Sequence, residues 1–171
     1  MSDVDSINLA LLLFRGALGA VMLAHGINHI FGGGKIAGTA RWFAGLGMKP
    51  GILHAWIASL VEVVGGVLLV LGLLTPFGGA VIIGVMLVAW ITNHRGNGFF
   101  IFRPGEGWEY VMTLTFAGLA IAVLGPGEWS LDNALGLWDS FPGAAGLAIA
   151  AIAGAGGAAG LLVGFWRPEK K

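Results

Sequence analysis

Long apolar runs separated by short polar segments dominate this sequence. Five runs approach the about 20 residues that a helix needs to cross a bilayer, and they cover residues 7–30, 53–74, 77–93, 109–124 and 143–166. Only the tight turn TPFG separates the second run from the third, so these two helices must be antiparallel. The pattern therefore predicts an all-α integral membrane protein.

The composition supports a membrane protein and excludes several classes of function. Hydrophobic residues make up 57% of the 171 residues, charged residues only 11%, and the mean hydropathy is +0.87. A soluble domain has about 25% charged residues. The formal net charge of zero argues against nucleic acid as a partner. Because the chain has no cysteine, it cannot perform thiol–disulfide chemistry or build an iron–sulfur site by itself.

The charges are distributed unevenly between the two ends of the predicted helices. If the five spans alternate in direction, eight of the nine basic residues share one side. The opposite side holds acidic residues, which include Glu128 and Asp132. The positive-inside rule then places the N-terminus outside and the C-terminus in the cytoplasm of an inner-membrane protein. The acidic start MSDVDS lacks the basic region of a secretory leader, so we expect the first run to be a retained span.

Two ionisable side chains interrupt the apolar runs well inside their boundaries. Arg15 lies in the first run, and Glu62 lies near the middle of the second. An arginine near the centre of a membrane helix costs about 2.5–3.5 kcal/mol on insertion scales, so we expect it to have a partner. Since the first two helices are antiparallel and the two groups lie at similar depths, we predict an Arg15–Glu62 ion pair. The pair either fixes the helix register or leaves Glu62 to exchange a proton beside a bound ligand.

The histidines collect toward the basic side. His25 and His29 are four residues apart, which makes them neighbours on the first helix. Arg15 and His29 fall on one stripe of that helix, with His25 at its flank. His54 begins the second run and His94 ends the third, and the same side carries further polar residues, namely Asn93, Arg95 and Glu109.

This polar cluster is open to three interpretations. The H-x-x-x-H spacing can bind a metal on a helix, but no second carboxylate completes a di-metal set, and we expect none. The imidazoles could instead bond to backbone carbonyls and water at the membrane interface. The third interpretation is a quinone head-group site, with hydrogen-bond donors near each carbonyl and an aromatic wall. Its candidate ligand-binding residues are His25, His29, Glu62, His94, Arg95 and Glu109, and the candidate aromatics are Trp90, Phe99, Phe100, Phe102 and Trp108.

Four segments in this order resemble the DoxX family of small bacterial integral membrane proteins: LLLFRGALGAVMLAHGINHIFGG, GTARWFAGLGM, VEVVGGVLLVLGLLTPFGG and GEGWEYVMTLTFAGLAIAVLGPGEWSLD. The resemblance implies a four-helix membrane bundle over residues 1–136. Residues 137–171 would then add a C-terminal transmembrane helix and a basic cytoplasmic tail. The polar positions of the family pattern fall on Arg15, His25 with Gly26, Glu62 with Gly65 and Gly66, and residues 125–132.

The resemblance also implies a redox-associated membrane subunit, because relatives are linked to thiosulfate:quinone oxidoreductase and to other membrane oxidoreductase complexes. Quinone is the cofactor that this association suggests, and fold-level likeness alone does not establish catalysis. Many relatives carry a lysine a few residues after the His-Gly, where this chain has His29. The role of that cation is therefore open here.

The fifth run consists almost entirely of glycine, alanine and leucine. Gly156, Gly160 and Gly164 recur every four residues and would form a smooth face for close helix contact. We expect this helix to pack on its own bundle, or else to contact another membrane subunit or a second copy. In the first loop, the segment IAGTARWFAGLGM is expected to form a short helix at the membrane interface.

Three hypotheses of function follow from these observations. The first is a membrane subunit of a quinone-linked oxidoreductase, which predicts a lipid-open cavity lined by His25, His29 and Glu62. The second is a non-catalytic structural or assembly subunit, which predicts packed side chains at that place. The third is a small-molecule or ion carrier, in which a water-accessible path reaches Glu62.

Overall fold

The apolar runs form helices in a computed structural model, which describes residues 2–141 and 143–169. In chain order the helices are α1 (Asp3–Phe31), α2 (Lys35–Gly45), α3 (Gly51–Leu71), α4 (Thr75–Ala89), α5 (Glu109–Leu124), α6 (Leu131–Ala134) and α7 (Gly143–Phe165). A π-helical turn, Trp90–His94, continues α4. The all-α prediction is confirmed. Lys170 and Lys171 of the predicted basic tail lie outside the described residues.

Four of these helices are long and apolar enough to cross a membrane: α1, α3, α4 with its π-helical turn, and α7. The predicted fourth span, α5, is apolar but has only 16 residues. At about 1.5 Å per residue it is about 24 Å long, somewhat less than the about 30 Å of a hydrocarbon core. The chain is therefore a multi-pass membrane protein.

Glycines allow α1 and α3 to approach closely along their length. A Cβ atom on Gly19 would lie 2.7 Å from the Gly66 carbonyl oxygen, and one on Gly26 would lie 2.8 Å from the Ser59 carbonyl oxygen. Such close approach of backbones through small residues is typical of membrane helix pairs. α4 packs against α3, α5 and α7, and α2 covers the first turns of α3.

The C-terminal helix α7 packs on α4 and α5 of its own bundle. Its packed face is a stripe of buried small residues, namely Gly146, Ala150, Gly154 and Ala158. The stripe that the sequence singled out lies elsewhere on the helix. Apart from the neighbouring backbone of α7 itself, no described atom comes within 4 Å of a Cβ position on Gly156, Gly160 or Gly164.

The two ends of the bundle differ in charge. At what we call the basic end, the loops before α3 and before α5 meet the segment after α7: the Lys49 N–H donates to the Phe165 carbonyl at 3.2 Å, and Arg95 lies 5.4 Å from the centre of the Trp166 ring. At the opposite, acidic end, the segment after α5 packs against α1 and the α3–α4 turn through Glu128 and Asp132. The predicted grouping of these loops on one side is confirmed.

Candidate functional site

Arg15 belongs to the acidic end, where the fold itself provides its partners. The side chain is 1% exposed. Its guanidinium donates to the carbonyl of Leu69 at 3.1 Å and to the carbonyls of Val70 and Trp129. The last carbonyls of a helix have no partner within the helix and carry partial negative charge. The C-terminal turn of α3 therefore stabilises the arginine.

The predicted Arg15–Glu62 pair does not form, which corrects the sequence analysis. Arg15 lies level with Leu69 and Val70, and Glu62 is about 10–12 Å farther along α3, at about 1.5 Å per residue. The depths were misjudged because α1 extends well beyond the end of α3. Among the described residues, the only salt bridge joins Glu62 Oε2 to His29 Nε2, at 3.3 Å.

Asp132 completes the network around Arg15. Its carboxylate accepts from the N–H of Leu74 at 2.8 Å and from the N–H of Thr75 at 3.2 Å, so it caps the N-terminus of α4. Gly72, with φ +63°, ends α3 in the left-handed region, and a Cβ there would lie 2.9 Å from the Arg15 guanidinium carbon. These contacts give the polar residues of the acidic end an architectural role.

A cavity of about 660 Å³ lies between the helices, and several of the remaining polar residues line its wall. Apolar side chains of α1, α3, α4, α5 and α7 supply most of its wall, and α2 adds Trp42 and Phe43. The polar residues of the wall are few and are listed together here: His25, His29, His54, Glu62, Thr92, Asn93, His94, Glu106 and Tyr110.

His29 and Glu62 form the polar centre of this wall. Glu62 is 4% exposed, and its Oε2 has no aligned hydrogen bond from any described residue, although His29 Nε2 lies 3.3 Å away. The His29 ring stacks on Trp42, with centroids 6.3 Å apart and planes inclined by 24°. Gly26, one turn earlier, leaves room for Glu62, because a Cβ at that position would lie 3.0 Å from the Glu62 Cβ. The pair is an ionisable contact beside an aromatic wall.

His94 ends the π-helical turn, and its ring nitrogens are both engaged. Nδ1 lies 2.9 Å from the Glu106 carbonyl, and Nε2 lies 3.2 Å from the Asn93 side-chain amide. Because a carbonyl only accepts, these partners assign the proton to Nδ1. The rings of His94 and Tyr110 form a T-shaped pair, with centroids 5.7 Å apart. His94 thus shapes the wall, on a kind of turn that is frequent at functional sites.

A family model described as DoxX matches residues 10–95, just over half of the chain. The chain belongs to the DoxX family. The matched part of this DoxX protein runs from α1 to the π-helical turn, so it includes His29, Glu62 and His94 but not α5 or α7. The search of curated proteins and the search of solved structures gave no match.

The structure separates the predicted ligand residues of this DoxX protein into two groups. His25, His29, Glu62 and His94 line the cavity, and His25 is the exposed one among them. Arg95 and Glu109 are outside its wall. Arg95 lies over the Trp166 ring, and the Glu109 carboxylate accepts from the Ile101 N–H at 3.1 Å. The candidate aromatics from Trp90 to Trp108 are also outside the wall, and Trp42 and Phe43 take that place.

Five polar residues of the cavity wall were not among the ligand residues predicted from sequence, namely His54, Thr92, Asn93, Glu106 and Tyr110. The sequence analysis places His54 in the polar cluster of the basic side but not among its ligand residues, although a histidine in the first turn of an apolar helix is a usable signal. Tyr110 follows Glu109 at the start of α5, and the hydrophobic periodicity there does not indicate which of the two side chains faces the cavity. For a metal, the described part of the chain brings no three histidine or acidic side chains together.

Proposed function

We propose that this DoxX protein is a membrane subunit of a quinone-linked oxidoreductase system and that its cavity binds the quinone head group. The observation that carries the proposal is a largely apolar cavity whose wall includes the buried contact between His29 and Glu62. Its volume of about 660 Å³ lies within the about 300–1,000 Å³ of typical small-molecule sites.

The chemistry of the wall suits a flat ring with carbonyl oxygens. His29 presents an imidazole beside the Trp42 face, which gives a ring both a donor and a stacking surface. Glu62, when protonated, can donate a hydrogen bond to a carbonyl oxygen. A buried polar atom without a partner costs about 1–3 kcal/mol, so a ligand that engages Glu62 recovers that free energy.

The proposal also predicts which leaflet of the membrane the site faces. The basic end carries the loops rich in lysine and arginine, and the positive-inside rule places such loops in the cytoplasm. The cavity polar groups would then face the inner leaflet of the inner membrane. Because the chain has no cysteine, a redox role needs a quinone, a metal or a partner subunit, and the proposal assigns that role to the bound quinone.

A second candidate is a non-catalytic structural or assembly subunit. The open face of α7, with Gly156, Gly160 and Gly164, favours this alternative, because it leaves room for close contact with another membrane helix. This hypothesis predicted packed side chains around Glu62. The cavity there supports the quinone proposal instead.

A binding titration tests the proposal. The protein in lipid nanodiscs is titrated with a short-tailed para-benzoquinone, and quenching of tryptophan fluorescence is measured, with Trp42→Phe to assign the signal. We expect Glu62→Gln to weaken binding at least about fivefold, which corresponds to about 1 kcal/mol. Glu109→Gln is the matched control, because it makes the same change outside the cavity. No binding by the wild type, or equal effects of the two variants, would refute the proposal.

A further inference from the structure

The cavity extends beyond the His29–Glu62 pair as an apolar groove along α3. The α3 residues that line this part of the cavity recur every three or four positions and so share one face of the helix: Ile57, Val61, Val64 and Leu68. Glu62, next to Val61, is directed toward α1 instead, where it contacts His29. Val61 and Val64 are exposed, so this face of α3 is open to lipid. We call this part of the cavity the lateral groove.

Two other helices complete the lateral groove. On α7, Ala153, Gly157 and Leu161 line the cavity at intervals of four residues. α3 and α7 each pack on α4, but in the described part of the chain they make few close backbone contacts with each other. A space therefore remains between them, and small residues of α4, Ala80 and Gly84, belong to its wall. The residues named on all three helices are apolar.

The lateral groove is continuous with the polar centre through a gap between α3 and α4. The two helices are in close contact at Gly65, where a Cβ would lie 2.7 Å from Val81 Cγ1. Closer to the basic end, Ala58 of α3 and Val85 of α4 both line the cavity. The cavity therefore reaches between the two helices there, and one volume joins the polar centre to the groove.

We propose that the ligand is a lipid-soluble quinone with an apolar tail, whose ring lies at the polar centre and whose tail lies in the lateral groove. This inference rests on the proposed function and deepens it, because it names the class of quinone and assigns α7 to the site. α7 lies outside residues 10–95, which match the family model. The matched part of the chain therefore does not form this subsite by itself.

The tail is favoured over a lipid acyl chain by its attachment to the ring. Both chains are apolar, so either one gains packing contacts, and no hydrophobic free energy, when it moves from the bilayer into the groove. A tail attached to a bound ring is held beside the groove, which raises its effective concentration there. The lining residues of α3 extend over about 16 Å of the helix axis, so the groove accommodates a chain and not only a small ring substituent.

A pair of variants on α7 tests the inference in nanodiscs. Ala153→Phe places a large ring in the lateral groove, and Ile152→Phe is the matched control, because Ile152 is 74% exposed and lies outside the cavity wall. The probes are a para-benzoquinone with a tail of two isoprenoid units and the same ring without a tail, and tryptophan quenching measures both. We expect Ala153→Phe to weaken binding of the tailed probe at least about fivefold and to leave the tail-free probe unchanged. Ile152→Phe should change neither, and partition of a probe into lipid is the same for both variants.

A photoreactive lipid distinguishes the tail from an acyl chain. A phospholipid with a diazirine in its acyl chain labels exposed residues of α7 in wild-type nanodiscs. We expect labelling at Ala153 and Gly157 to fall when the tailed quinone is added, and labelling at Ile152 to stay constant. If labelling at Ala153 and Gly157 does not fall, lipid occupies the groove and the inference is overturned.

The outcomes separate this inference from the proposed function. If the wild type binds the probes but Ala153→Phe binds the tailed probe equally well, the tail assignment is overturned and the proposed function stands. If Ala153→Phe weakens both probes equally, the ring and not the tail lies against α7, and the inference is again overturned. If the wild type binds neither probe, both proposals fail.

Discussion

Replacing Arg15 by leucine tests whether the acidic end is held together by this side chain. The guanidinium joins three parts of the chain, because it belongs to α1 and donates to α3 carbonyls and to the Trp129 carbonyl after α5. Leucine fills much of the same space but has no donor. The substitution would therefore remove the hydrogen-bond donor of these carbonyls. It would also remove the positive charge near Asp132.

The expected magnitude follows from the carbonyls that lose their donor. The Leu69 carbonyl also accepts from the Gly72 N–H at 3.1 Å, so it keeps one bond. The carbonyls of Val70 and Trp129 depend on Arg15. A buried group that loses its partner costs about 1–3 kcal/mol, and water near the membrane surface reduces the cost. We expect a loss of about 2–4 kcal/mol in the free energy of unfolding.

The assay is a detergent unfolding titration of the purified protein in mixed micelles, followed by circular dichroism. Arg41→Leu is the matched control, since Arg41 is exposed on α2, and a surface change of this kind stays within about 0.5 kcal/mol. Arg15→Lys keeps the charge and should lie between the wild type and Arg15→Leu. If Arg15→Leu unfolds within about 0.5 kcal/mol of the wild type, the assignment of Arg15 as the connecting residue is wrong.

Two further predictions concern the other end of this network and the wall of the cavity. Asp132→Asn keeps an acceptor for the cap of α4 but removes the charge near Arg15, so unfolding in the same titration should be easier by about 1–2 kcal/mol; an unchanged midpoint would contradict this. Gly157 lines the cavity, and apart from the neighbouring backbone of α7 a Cβ there would meet no described atom within 4 Å. The substitution Gly157→Leu should therefore fill part of the cavity and reduce quinone affinity at least tenfold, and it should leave the unfolding midpoint unchanged. Gly160→Leu, equally open but outside the wall, should bind like the wild type; equal losses would show that α7 does not wall the site.

The sequence predicted the helices because lipid selects for long apolar runs, and it predicted which loops meet because charges separate across a membrane. It failed on the partner of Arg15. The predicted depth of Arg15 is counted from the start of the apolar run, which assumes that the helix begins at the membrane surface. Because α1 extends beyond α3 at the acidic end, Arg15 lies beside the C-terminal carbonyls of α3, and these carbonyls, instead of Glu62, accept its hydrogen bonds.

The site was predicted only in part, for a reason that follows from helix geometry. Successive residues on a helix point about 100° apart. A site prediction that is wrong by one position therefore selects a residue outside the cavity wall instead of one that lines it. Glu109 and Tyr110 differ in this way at the start of α5, and so do His94 and Arg95 at the end of a π-helical turn. In α7, nearly every residue is small and apolar, so the pattern could not distinguish the packed face from the open one.

The hydrogen bonds of the buried polar groups indicate which of them serve the fold and which remain available for a ligand. Arg15 has two of its three side-chain nitrogens bonded to backbone carbonyls, and Asp132 caps a helix. Both side chains therefore serve the architecture of the acidic end. The Nε of Arg15 also has no partner, but Arg15 does not line the cavity, whereas Glu62 is buried, lines the cavity and has no aligned hydrogen bond to its Oε2. Since folding pairs nearly all buried polar atoms, a ligand gains most by engaging an unpaired one beside an open volume, and for this reason we propose the site at Glu62 of α3 rather than at the arginine.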